Sequence, residues 1–177
     1  FILLDNRYYR SPDRLEASGK SMLGEKQLQW LRDNLVTSEA SFKVVALGSQ
    51  FLNNSGVGET YFNDGFANER QKIIDFIHKQ NIKNVIFITG DKHFSELSKL
   101  EEAGEEVIYD LTISTFTAGV NPRGAEENNT LRIPGTLLTD RNFGMIRVHG
   151  PLEERKLTIE VFDTDGKEMW KHTIQKQ

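Results

Sequence analysis

Hydrophobic and polar positions along the chain follow two rhythms. Phe1, Ile2, Leu3 and Leu4 form an uninterrupted apolar run that predicts a buried strand, and residues 42–47 and 84–89 repeat the pattern. Between these runs, Leu28, Leu31 and Leu35 recur at helical spacing beside Trp30 over residues 25–36. Ile73, Ile74 and Ile77 do the same over residues 68–80, with Asn68 placed to cap the helix. The first half therefore reads strand, helix, strand, loop, helix, strand, the alternation of a central sheet with helices against it. Residues 107–114 supply a further strand, on which Asp110 is expected at an edge. Alternating residues 145–148 and 157–162 follow, and the turn at 163–166 leads into residues 168–174 as a hairpin. The second half is thus an antiparallel meander, and the fold class is mixed α/β, or α+β.

Polar, glycine-containing residues 14–24 and 119–142 read as loops. Residues 51–66 have no stable period but carry several aromatics, which suits a lid or substrate wall better than simple disorder. No internal repeat or linker divides the chain. The fully apolar opening, without a leading polar segment, suggests a chain opened in mid-fold, the alternative being a domain that really begins here.

Composition narrows the function classes. With 177 residues and 20.2 kDa the chain suffices for one domain with a substantial core. Its 22 basic and 26 acidic residues are interspersed, so no block grips a nucleic-acid backbone. The absence of cysteine excludes disulfides, thiolate metal sites and a cysteine nucleophile. Apolar runs of about four or five residues fall far short of the ~20 needed to span a bilayer.

Chemistry concentrates after the third strand, where Gly90 frees the backbone and Asp91 and His93 follow one residue apart. At the C-terminal edge of an open α/β sheet, where ligands usually bind, these two side chains offer oxygen and nitrogen donors to one or two metal ions. Such donors suit iron, zinc or manganese better than calcium alone. The plainer reading is a turn in which Asp91 caps a helix and His93 is a surface residue. Arg7 leaves the first strand with a planar fork suited to phosphate oxygens, and Asp5 can orient it or help bind a cation. The plainer reading there is a local ion pair from Asp5 to Arg7 or Arg10. Gln50, after the second strand, can reach a site through its amide or remain a solvated loop residue. His78 is expected to face solvent, and His149 and His172 to serve surface or packing. Neither a phosphate-cradling glycine loop nor a Gly-x-Ser-x-Gly elbow is present, which disfavours a nucleotide-binding loop and a metal-independent serine esterase.

Three blocks in order carry a resemblance. They are Phe1-Ile2-Leu3-Leu4-Asp5-x-Arg7-x-Tyr9-Arg10, Leu23-Gly24-x-x-Gln27-x-x-Trp30-Leu31 and Gly90-Asp91-x-His93-Phe94-Ser95-Glu96-Leu97. Together with Asn142-Phe143-Gly144 and a closing Asp-x-Asp-Gly hairpin, they resemble the PhoD-like alkaline phosphatase/phosphodiesterase family of calcineurin-like metallophosphoesterases. The resemblance implies a β-sandwich flanked by helices with a two-metal centre at the strand ends, binding iron, calcium, zinc or manganese. It implies His93 as a metal ligand, Asp91 as a second ligand or its orienter, and Arg7 as a phosphate contact or a support for the ligands. Gln50 stands where the superfamily often places a further metal-binding histidine.

The family's early metal motifs, Asp-x-x-Tyr after a Gly-Asp step and Trp-Asp-Asp-His-Glu, have no counterpart here. The expectation is therefore a single partial domain over residues 1–177, the C-terminal half of a metallophosphoesterase whose N-terminal half completes the site. The intact protein is expected to hydrolyse small phosphoesters, the chain alone being inactive or nearly so. By the same resemblance it is expected to be secreted or periplasmic. The competing reading is a non-enzymatic α/β binding or structural domain.

Overall fold

The computed structural model describes residues 1–16, 19–58, 60–61 and 65–177. Five strands form one sheet: β1 (Ile2–Leu3), β2 (Lys43–Ala46), β3 (Val85–Thr89), β4 (Glu96–Leu100) and β5 (Ile108–Thr112), in the spatial order β1-β2-β3-β5-β4. β1, β2, β3 and β5 run parallel, and β4 is antiparallel at the edge. Parallel neighbours need crossovers, and α1 (Glu25–Thr37) and α2 (Ala67–Lys79) lie in the first two of them.

Alternation along the strands decides which side each residue serves. Val85, Phe87 and Ile108 join Leu31, Leu35, Ile73, Ile74 and Ile77 of the helices in one apolar core. Ile86 and Leu111, with Leu97, join Leu157, Ile159, Val161 and Ile174 in a second. The latter four belong to an antiparallel sheet of β6 (Asn142–His149), β7 (Lys156–Asp163) and β8 (Glu168–Gln175). The large sheet thus lies between helices and a smaller sheet. Each side chain fully buried this way contributes roughly 1.5–3 kcal/mol, which is why the apolar runs could be read as strands. Among the described residues no helix is long and apolar enough to cross a membrane.

Several expectations need correction. β4 has no apolar period, because Glu96, Ser98 and Lys99 interrupt it; it is held as a strand by partners for its polar groups. Glu96 is fully buried, with Arg132, Gln50 and Asn129 donating to its carboxylate. α2 starts at Ala67 with Phe66 as its N-cap residue, so Asn68 is already helical. His78 does not simply face water, since a ring nitrogen lies 3.1 Å from the Glu106 carbonyl oxygen.

Residues 51–66 divide. Phe51, Leu52, Tyr61 and Phe66 are buried in the core, Phe51 stacking on Phe87 with centroids 3.8 Å apart. They are no substrate wall. Glu59, Phe62, Asn63 and Asp64 of the same stretch lie outside the described residues.

Asp110 is not an edge residue either. Its carboxylate is buried and accepts the backbone N–H groups of Phe51 (2.8 Å) and Leu52 (2.7 Å) and the Thr89 hydroxyl (2.8 Å), tying the segment after β2 to the sheet. Burial raises its pKa from 3.8 to about 6, although these three donors pull the other way. A carboxyl whose pKa rises on folding contributes stability that is complete below pH ~4 and is lost as pH rises through about 6. Asp110→Asn removes that titration. Between pH 4 and pH 7 the unfolding free energy of the parent is expected to fall relative to the variant, by on the order of 3 kcal/mol. Denaturant unfolding measured at both ends of the window checks this, and parallel pH profiles would refute it.

Candidate functional site

Because β1, β2, β3 and β5 are parallel, their C-terminal ends open on the same edge of the sheet. Gly90 N–H donates to the Gly48 carbonyl at 3.1 Å, joining the ends of β3 and β2. Gly48 N–H in turn donates to the Asn6 side chain at 3.1 Å, bringing in the residues after β1. The chain then leaves β3 in an alternating turn. Asp91 and His93 are exposed, whereas Lys92 and Phe94 between and after them are buried.

Both exposed residues adopt left-handed backbone, with φ of 69° at Asp91 and 59° at His93. Such conformations cost of order 1–2 kcal/mol each in a non-glycine residue, so the surroundings must hold them. They do so through backbone and side chain together. His93 N–H donates to Ser114 Oγ at 3.1 Å, and the His93 carbonyl accepts from Asn121 N–H at 2.8 Å. Phe94 is fully buried against Gly124; a Cβ at position 124 would collide with the ring. Lys92 Nζ meets a Glu127 carboxylate oxygen at 2.7 Å and donates to the Val57 carbonyl at 2.9 Å.

Arg7 reaches the same turn, its guanidinium donating to Asp91 at 3.3 Å with both side chains about half exposed. At that exposure the pair is worth roughly 0–1 kcal/mol. Asp5 shapes the turn that carries Arg7. Its carboxylate accepts the backbone N–H groups of Tyr8 and Arg7, and these bonds lower its pKa. Asp91 and His93, with Lys92, Glu127, Asn121, Val57 and Gly58, line a cleft of about 350 Å³. A larger hollow of about 940 Å³ lies between α1 and α2, but its polar lining mixes Lys26, Arg32, Glu25 and Asp75 away from the strand ends. The parallel strand ends favour the smaller cleft as the chemical site.

The family-specific model of the PhoD-like phosphatases matches residues 1–143. The chain belongs to the PhoD-like phosphatase family. It is 32% identical over 117 residues to alkaline phosphatase D of Bacillus subtilis (strain 168), a match covering 56% of this chain and 20% of that protein. Its fold is similar to a solved structure of PhoD, with a TM-score of 0.70 at 21% identity over 99% of this chain. The PhoD-like chain spans about two fifths of that solved chain and matches a fifth of the curated relative.

The structure pairs Arg7 with Asp91 and lines one cleft with Asp91 and His93, but places Gln50 inside the protein. Gln50 is buried, its amide nitrogen donating to Glu96 at 2.9 Å and Thr112 at 2.7 Å while its oxygen accepts from Asn53 at 2.7 Å. An amide satisfied on both sides inside the protein presents no donor to the cleft. Among the described residues no group of three or more His, Cys, Asp or Glu side chains is gathered to hold a metal ion. The donors present, one carboxylate and one imidazole on a common turn, fit part of an oxygen- and nitrogen-ligated ion. Sequence reading missed Glu127 and Asn121, which lie in a loop without period, and Ser114, which it placed at the end of a strand; no local signal marked any of the three.

Gly124→Ala puts a methyl group into the Phe94 ring. The expected result is destabilisation by about 1–3 kcal/mol in denaturant unfolding, with altered chemical shifts at Asp91 and His93. Unchanged stability and shifts would show that Phe94 does not fix the turn.

Proposed function

We propose that the protein to which this PhoD-like chain contributes hydrolyses small phosphoric esters, monoesters or diesters, in a metal-dependent reaction. Asp91 and His93 are its metal-holding residues in this chain, and Arg7 contacts the phosphoryl group. The observation that carries the proposal is the exposed Asp91–His93 turn at the parallel strand ends, with Arg7 beside it, in a member of the phosphatase family. The resident ion, of the iron, calcium, zinc or manganese class, would supply a hydroxide nucleophile at neutral pH.

The chain's own residues do the rest. The His93 imidazole offers a neutral nitrogen donor and the Asp91 carboxylate an anionic oxygen donor. In the structure Arg7 neutralises Asp91. Once a phosphate ester occupies the cleft, Arg7 can turn its fork to two phosphoryl oxygens, fixing orientation and offsetting charge. Among the described residues two donors fall short of a complete ion site; the remaining ligands are proposed to come from the rest of the protein, and little turnover is expected from the 177 residues alone.

The test uses the longest polypeptide that carries this chain, a chromogenic phosphodiester and added iron, calcium or manganese. Full activity is expected in the parent. His93→Ala is expected to lower metal content and to reduce kcat/KM by at least 100-fold, and Arg7→Ala to raise KM at nearly unchanged metal content. An inactive parent favours a non-enzymatic binding or structural domain, and unchanged metal content in His93→Ala removes that residue from the ligand set.

A further inference from the structure

A lysine in a surface turn ordinarily extends into water, yet the Lys92 side chain is only 7% exposed, between two exposed neighbours. Its partner Glu127 is equally withdrawn, at 5%. A charge pair so removed from water persists only when further hydrogen bonds complete it, and here they do. Lys92 also donates to the Val57 carbonyl, while Asn53 (3.1 Å) and Ser55 (3.3 Å) donate to the other oxygen of Glu127.

The pair therefore joins three segments that are distant in sequence: the turn after β3, residues 53–57 after β2, and Glu127 after β5. It also has an inward continuation. Asn53 donates to Gln50, Gln50 to Glu96 and Thr112, and Thr112 shares a hydroxyl contact with Thr89, which donates to Asp110. The turn is thus anchored to the interior of the large sheet.

We propose that Lys92, through its buried pair with Glu127, is the positioning residue that holds Asp91 and His93 in their outward, left-handed conformations toward the metal site. The inference rests on the metal-holding reading of those two residues. Lys92 is drawn inward while the residues on either side are exposed, and with Phe94 seated on Gly124 the turn is pinned at alternate positions. Removing the ammonium leaves Glu127 without its cation and frees the turn from Val57. Removing the carboxylate strands the ammonium.

The experiment compares Lys92→Met, Glu127→Gln, the double variant and His93→Ala in the longest polypeptide carrying this chain. Manganese affinity is measured by calorimetric titration, and amide exchange is followed at residues 90–94. Each single variant is expected to weaken manganese binding about 10–100-fold and to speed exchange in the turn, with the double variant no weaker than the worse single one. Singles that bind within twofold of the parent while His93→Ala loses manganese overturn the proposal and leave the site intact. Additive losses in the double variant also overturn it, since they mean that the two residues do not act as a pair. If Lys92→Met does not fold, Glu127→Gln decides by the same two readouts. If His93→Ala retains manganese, the metal reading fails, and unchanged amide exchange in the singles overturns the positioning role as well.

Discussion

Val85, Ile86 and Phe87 have essentially no contact with solvent, alternate residues turning to the helices and to the second sheet. This double burial fixes β3 in register with β2 on one side and β5 on the other, so its C-terminal end has almost no freedom. A single-residue slip would exchange the two faces and expose both cores. Everything at the site inherits that constraint, because the turn carrying Asp91 and His93 begins one residue beyond the strand.

The constraint alone does not explain the turn's shape. Two non-glycine residues in left-handed conformation require compensation, and it comes from loops that converge above the sheet. Ser114 and Asn121 bind the backbone of His93, Gly124 receives the Phe94 ring, and Glu127 receives Lys92. Behind them lies a polar seam of Gln50, Asn53, Glu96, Thr89, Thr112 and Asp110, buried yet hydrogen-bonded throughout. Such a seam is intolerant of partial loss, since each unpaired member would face the cost of burial without a partner. Rigidity at the cleft therefore derives from polar contacts inside the sheet as much as from apolar packing outside it. The result is a fixed presentation of one carboxylate and one imidazole at the cleft, with Arg7 paired to the carboxylate.

The polar seam also explains where sequence reading succeeded and where it stopped. It located β1, β2, β3 and β5 by unbroken apolar runs and both helices by a stripe repeating at 3.6 residues, although in β1 only Ile2 is buried, Leu3 and the preceding Phe1 being exposed. It missed β4, whose Glu96 and Ser98 are inside yet polar. It misread Asp110 as an edge residue for the same reason, and it divided residues 51–66 poorly, since Phe51, Tyr61 and Phe66 looked like an exposed wall while belonging to the core.

What the chain's sequence determined by itself is the succession of the helices and of the strands other than β4, and the position of the Gly90–Asp91–x–His93 turn at the end of a buried strand. Local periodicity and one glycine suffice for those features. Tertiary structure alone decided that Gln50 faces inward, that Lys92 is buried, and that Glu127, 35 residues further along, is its partner. A polar residue's local pattern is the same whether it meets water or another polar group; only the fold brings the second group within hydrogen-bonding distance.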